Sequence, residues 1–129
     1  SSVEESALRR LCSLKTGALL EAACRMGALC AGASGDQLEA AGEYARNLGL
    51  AFQIRDDILD ETATAEELGK DVGSDRVNGK ITFPALLGRE RCQELVGLYT
   101  EKACSAVRGA YDDAAFLCWL AESLVERKK

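Results

Sequence analysis

Residues 49–60 read GLAFQIRDDILD, and they place Asp56, Asp57 and Asp60 inside a segment otherwise rich in Leu, Ile, Phe and Ala. A helix turns by about 100° per residue, so positions three and four apart share a face. Gln53, Asp56, Asp57 and Asp60 are linked by such steps and form one polar stripe. Leu48, Ala51, Phe52, Ile54, Ile58 and Leu59 fall around the rest of the helix. Two carboxylates about 5 Å apart repel by roughly 3 kcal/mol at an effective dielectric near 20. The stripe therefore faces water, or a cation neutralises it. One reading is a solvated helix end running into Glu61, Glu66 and Glu67. The other is a magnesium site, because that ion takes one or two carboxylates together with waters and phosphate oxygens.

The rest of the chain sets bounds on both readings. Its 129 residues make one all-α unit, with 47% hydrophobic and 29% charged residues, as expected of a globular domain. A net charge of −5 argues against a nucleic-acid partner, whose phosphates it would repel. Glu21 and Arg25 interrupt the most apolar stretch, LLEAACRMGALCAGA, so no membrane span is expected. The six cysteines form no C-x-x-C pair and the chain has no histidine, which argues against a zinc site and against His-based catalysis. The cysteines read as small buried hydrophobes in a reducing, cytoplasmic setting.

Ala, Leu, Glu, Arg and Lys dominate, and β-branched runs are missing, so the expected architecture is an antiparallel helical bundle. The first helix is expected over 4–31, with Ser2 and Glu5 as a capping box. A second is expected over 36–60, with Asp36 as a candidate cap. Residues 61–80, polar and punctuated by glycine, read as a long surface loop. A short helix follows from Thr82 to Gly88, with Pro84 tolerated in its first turn. The last helices are expected over 89–108 and 112–127, with Asp112 and Asp113 capping the final one. Trp119 and the other aromatics read as core.

Three lysines complete the pattern. Lys15 has Leu8, Leu11, Ala18, Leu19 and Ala22 as helical neighbours, so it interrupts an apolar stripe; a buried lysine there requires an anion, and snorkelling to the bundle's end is the alternative. Gly17 costs roughly 1 kcal/mol relative to alanine in a helix interior. A kink that frees carbonyls near Lys15 and Thr16 would explain it. Lys70 follows Gly69 and Lys80 follows Gly79, which gives long cations on a mobile backbone. Singly each reads as a surface lysine; with the acidic stripe they point to one anionic, metal-bound ligand.

FQIRDDILD, followed by LGKDVGSDRVNGKITFPALLG and preceded by KTGALL, resembles the second aspartate-rich region and the K-T motif of the trans-isoprenyl diphosphate synthases, the polyprenyl synthetases, and most of all the bacterial farnesyl diphosphate synthases. The resemblance runs over nearly the whole chain, to the basic tail ERKK. It implies a prenyltransferase in which an allylic diphosphate ionises with help from magnesium and lysines, and isopentenyl diphosphate attacks the resulting cation. By position it implies that Asp56, Asp57 and Asp60 hold Mg2+, directly or through water. It implies that Lys15, Lys70 and Lys80 bind diphosphate, and that Thr16 and Gln53 turn oxygens toward the developing cation.

Two departures accompany the resemblance. Cys12 stands where the family often has a histidine, three residues before the motif lysine. The family's first aspartate-rich motif, with its arginine pair, has no counterpart, so the chain resembles the C-terminal half only. A partner first half, an apolar face left bare without it, self-association and an inactive isolated piece are the corresponding expectations. A non-catalytic accessory subunit of a prenyl synthase is the alternative.

Overall fold

The computed structural model describes residues 2–68 and 82–127, and these form an all-α bundle with no strand among them. Helix α1 (Ser2–Cys12) continues through a π-helical turn (Ser13–Gly17) into α2 (Ala18–Cys30). Helix α3 (Gly35–Leu68) is followed by α4 (Phe83–Leu87), α5 (Arg89–Arg108) and α6 (Ala115–Glu126).

The turn between α2 and α3 is tight. Gly32 adopts φ +79°, a conformation that L side chains rarely take, and the Ala33 N–H returns to the Ala28 carbonyl at 3.0 Å. Asp36 does not cap α3. Ser34 does, because its hydroxyl accepts from the Gln37 N–H at 3.2 Å while the Gln37 side chain accepts from the Ser34 N–H at 3.0 Å. This reciprocal pair satisfies two donors that helix formation leaves unpaired.

α3 also outruns its expected end at residue 60 and continues to Leu68. The segment ETATAEEL is polar, but it consists mostly of good helix formers. It is tied down as well: Thr62 donates to the Ile58 carbonyl at 3.0 Å and accepts from Arg89 at 2.6 Å.

α3 is the axis on which the other elements pack. Arg25 and Arg46 both donate to Glu21, at 3.2 and 3.0 Å, and both pair with Glu39, which clamps α2 antiparallel to α3. On the other side, Thr62 meets Arg89 near one end while Gln37 meets Ala110 and Tyr111 at the other, so α5 is antiparallel to α3 too. Leu48, Ala51, Ile54 and Ile58 of α3 share one buried core with Phe83 of α4, Cys92, Leu95, Ala103 and Val107 of α5, and Ala121 of α6. The Tyr44 hydroxyl donates to the Leu117 carbonyl at 2.7 Å and pins α6.

Thr82 accepts from the Ala85 N–H and caps α4, with Pro84 in the first turn as expected. α6 begins three residues later than expected, with Ala114 at its N-cap and no side-chain cap there, so neither Asp112 nor Asp113 caps it as expected, although Asp113 accepts from the Ala115 N–H just ahead of the helix. The aromatic expectation fails in one place. Phe116 and Trp119 are 63% and 60% exposed and pack against each other at 5.9 Å, on the outer side of α6. The cysteine expectation holds for Cys92, Cys104 and Cys118, which are buried; Cys12 and Cys24 are half-buried and Cys30 is exposed.

The π-helical turn and α3 approach each other closely at two glycines. A Cβ on Gly49 would meet the Gly17 Cα at 3.5 Å and Leu20 at 3.7 Å. Alanine fits that distance but a longer side chain does not. Gly49→Ala is expected to leave stability nearly unchanged, and Gly49→Leu to cost about 1–3 kcal/mol in denaturant unfolding, because overpacking forces backbone shifts.

Burial pushes the Cys92 thiol up to about 11, with the Asp57, Glu61 and Glu5 charges adding to it. Burial and the neighbouring Cys118 push Cys104 up to about 12. The unfolded chain gives up these protons first, above the ordinary thiol value of 9.0. The thiols' contribution to stability is therefore complete below that value and is lost as pH rises toward 11 and 12. From neutral pH up to that point the thiols are expected to leave thermal melts level, and the melting temperature is expected to fall beyond it. Iodoacetamide at neutral pH is expected to modify Cys30 and spare Cys92 and Cys104 until the chain is unfolded, as read by mass spectrometry.

Candidate functional site

The K-T segment occupies the π-helical turn. The Ala18 N–H bonds to the Ser13 carbonyl, five residues back instead of four. Such turns insert one extra residue and distort the helix locally, and they recur at functional sites. This is the distortion that the Gly17 anomaly in the sequence called for. Gly17 is buried against Gly49, Thr16 is half-buried, and Lys15 is exposed. The expectation of a buried lysine is corrected here. Leu11 and Leu19, on the same stripe, are also 52% and 74% exposed, so the stripe is an open apolar surface and Lys15 needs no buried counter-ion.

Gly49 lies two helical turns before Asp56, so the π-helical turn crosses α3 just upstream of its acidic residues. Cys12, one turn before Lys15, connects the two electrostatically. Burial pushes its thiol up, the Asp57 charge pushes it further, and Lys15 opposes both. The segment carrying Lys15 therefore runs alongside the helix that carries the aspartates. Cys12, in the position of the family's histidine, feels both charges.

The three aspartates do not share one environment. Asp57 is 8% exposed, the one charged residue buried among those described. It accepts from Gln53 Nε2 at 3.0 Å with Oδ1 and from the Phe83 N–H at 3.2 Å with Oδ2. Both oxygens are engaged, and a buried carboxylate needs such donors. This departs from the single polar stripe read in the sequence: Asp57 turns inward and ties α3 to the start of α4. No pattern in the sequence marks which of the adjacent aspartates would do so.

Gln53 is oriented by the same bond. Its amide nitrogen is committed to Asp57, so its oxygen is the end available for other contacts. Asp56 and Asp60 are both half-exposed and lie one turn apart. Asp56 Oδ1 accepts from Arg127 at 3.1 Å, and the Arg127 guanidinium lies 4.5 Å from the Phe52 ring centroid. Sequence reasoning missed Arg127 as a contact of the strip, though its place in the basic tail was the available signal.

Lys70 and Lys80 lie outside the described residues. Among the described residues, no cluster of three or more metal-binding side chains forms. Two half-exposed carboxylates one turn apart are nevertheless a donor set that suits magnesium, which completes its octahedron with water and phosphate oxygens. No described helix is long and apolar enough to cross a membrane.

Comparison with known proteins agrees with the sequence motifs. A family profile described as Polyprenyl synthetase matches residues 1–113. The farnesyl diphosphate synthase of Geobacillus stearothermophilus is 43% identical over 113 residues, which is 88% of this chain and 38% of that protein. The heterodimeric geranylgeranyl pyrophosphate synthase large subunit 2 of Arabidopsis thaliana is 45% identical over 95 residues, 74% of this chain and 25% of that one. The crystal structure of a putative farnesyl-diphosphate synthase from Marinomonas sp. MED121 superposes with a TM-score of 0.74 at 33% identity, covering 94% of this chain and 40% of that one. The chain thus spans between a quarter and two-fifths of the length of these proteins. With an all-α bundle, the K-T turn and the acidic helix in place, this chain belongs to the polyprenyl synthetase family.

Proposed function

We propose that the chain is the C-terminal portion of a prenyltransferase that joins an allylic diphosphate to isopentenyl diphosphate and yields a longer prenyl diphosphate of farnesyl or geranylgeranyl type. The observation that supports this is the packing of the Lys15 turn onto α3 through Gly17 and Gly49, beside the helix that presents Asp56 and Asp60.

In this reading Asp56 and Asp60 hold Mg2+, with Asp57 fixing α3 behind them and acting on the metal at most through water. When bound, the metal supplies positive charge that favours departure of the diphosphate. Lys15 binds the same diphosphate from the neighbouring turn. Its exposure suits a ligand that arrives from solvent. Lys70 and Lys80 take their diphosphate-binding roles from the sequence motifs. The Thr16 hydroxyl and the Gln53 amide oxygen stabilise positive charge on the allylic carbon, and the bond from Gln53 to Asp57 fixes that oxygen in advance. Isopentenyl diphosphate then attacks, and the departed diphosphate takes the proton that is lost. Six free thiols fit a cytoplasmic setting.

The exposed Leu11, Leu14, Leu19, Met26 and Leu29 form the apolar face on which the first half of the synthase packs. Without that half the isolated chain is expected to self-associate through this face. Light scattering is expected to show dimers or larger species, and a monomer at high concentration would count against the assignment.

The chain alone is expected to show no prenyl transfer, and mixing it with a first half is expected to restore it. In the whole synthase, Asp56→Ala and Lys15→Ala are each expected to lower turnover by about 10²–10³-fold, the usual cost of removing one electrostatic stabiliser. Magnesium with inorganic diphosphate is expected to raise the melting temperature of the chain, because a ligand that binds the folded state stabilises it. An unchanged melting temperature together with unaffected turnover in both variants would contradict the reading.

A further inference from the structure

We propose that the cavity between α3, α5 and α6 binds a small apolar zwitterion, an amino acid with an aliphatic or aromatic side chain, with its carboxylate on Arg55 and its ammonium on Glu122 and Glu126. None of these residues belongs to the acidic strip or the K-T turn, so the site stands or falls independently of the magnesium reading.

The cavity holds about 320 Å³, near the lower end of the roughly 300–1,000 Å³ typical of small-molecule sites. Its floor is apolar: Ile58 of α3 and Val125 of α6 are buried, and Val96 of α5 is half-buried. Gly97 of α5 lines it too, and a Cβ there would meet nothing within 4 Å, so the helix backbone borders open space. An apolar floor with a few convergent polar groups is the make-up of a small-ligand site.

Arg55 decides the ligand's chemistry. It lies about 100° around α3 from Asp56 and about 140° from Asp60, so it faces away from the strip. Its Nε is shut off from solvent and has no hydrogen-bond partner, and Arg55 forms no ion pair among the described residues. A buried N–H without an acceptor is costly. A carboxylate supplies two acceptors in the geometry of the guanidinium fork.

A simple anion does not suit the cavity, because Glu101, Glu122 and Glu126 line it as well. Glu101 is engaged by Arg108 at 3.3 Å. Glu122 and Glu126 are exposed, lie one turn apart on α6 and form no ion pair among the described residues. Like charges at that spacing repel, and a cation between them relieves the repulsion. A ligand that carries a carboxylate and an ammonium on one carbon, with an apolar side chain, satisfies the arginine, the two glutamates and the floor together.

The test is calorimetric titration of L-leucine and L-phenylalanine into the 129-residue chain without Mg2+, beside two probes that each lack one charge, N-acetyl-L-phenylalanine and L-phenylalaninamide. Saturable binding of at least one amino acid is expected, and phenylalanine is expected to bind about ten-fold or more tightly than either singly charged probe, the usual worth of a charge-assisted hydrogen bond. Arg55→Met keeps the bulk, breaks no described hydrogen bond and is expected to weaken binding about ten-fold or more. Gly97→Leu fills the open space from an exposed position and is expected to abolish binding, while its melting curve stays cooperative. Binding of neither amino acid, a singly charged probe that binds as well as phenylalanine, or amino-acid binding that survives both substitutions would overturn the proposal.

Discussion

The hydrogen bond from the Phe83 N–H to the buried Asp57 carboxylate organises the acidic strip. It spans 26 residues and returns the chain to α3 at the start of α4. Because Asp57 also accepts from Gln53, one carboxylate fixes a side chain on its own helix and a backbone on another. Burying that charge is tolerable only because both oxygens have donors. With Asp57 committed inward, Asp56 and Asp60 are left on the accessible side. The division of labour among three nearly adjacent aspartates follows from this one tie.

The second constraint is close approach. Helix axes in globular proteins usually pack about 8–10 Å apart, and glycine at a crossing permits backbone contact. Gly17 and Gly49 provide that at the π-helical turn. The clamp of Glu21, Arg25, Glu39 and Arg46 continues the same interface for two further turns. Within the clamp, burial is the largest single influence on the Glu21 carboxyl and raises it, but the hydrogen bonds and charges of Arg25 and Arg46 together outweigh this and hold it below its usual range. Sequence elements far apart, the K-T turn and the aspartate strip, are thus held side by side by backbone contact and a charge network. The long core of α3 with α5 anchors them from the other side.

Much of this is legible in the sequence. The helical composition, the single proline in a first turn and the span of α5 followed from local propensity and turn chemistry, which act within a few residues. The Gly17 anomaly correctly marked a distorted helix. Other features depend on neighbours that periodicity cannot see. The extension of α3 to Leu68 was hidden because polarity and helix propensity point in opposite directions over ETATAEEL. The choice of Ser34 over Asp36 as cap depends on Gln37, which accepts a hydrogen bond from the Ser34 N–H in return. The stripe of Lys15, Leu11 and Leu19 was correctly apolar, yet it is exposed, since an apolar face shows what a helix can bury and not whether this chain buries it. Asp57 and Arg127 acquire their roles from residues 26 and 71 positions away, a distance at which no spacing rule operates.

The role proposed for Lys15 and Asp56 is to grip one ligand across the Gly17–Gly49 crossing. A calorimetric double-mutant cycle measures that directly, with inorganic diphosphate titrated into the parent chain, Lys15→Ala, Asp56→Asn and the double variant, all in excess Mg2+. The two losses are expected not to be additive, with a coupling of about 0.5–3 kcal/mol, as for residues that share a partner. Strictly additive losses, or a diphosphate affinity that neither substitution changes, would contradict it.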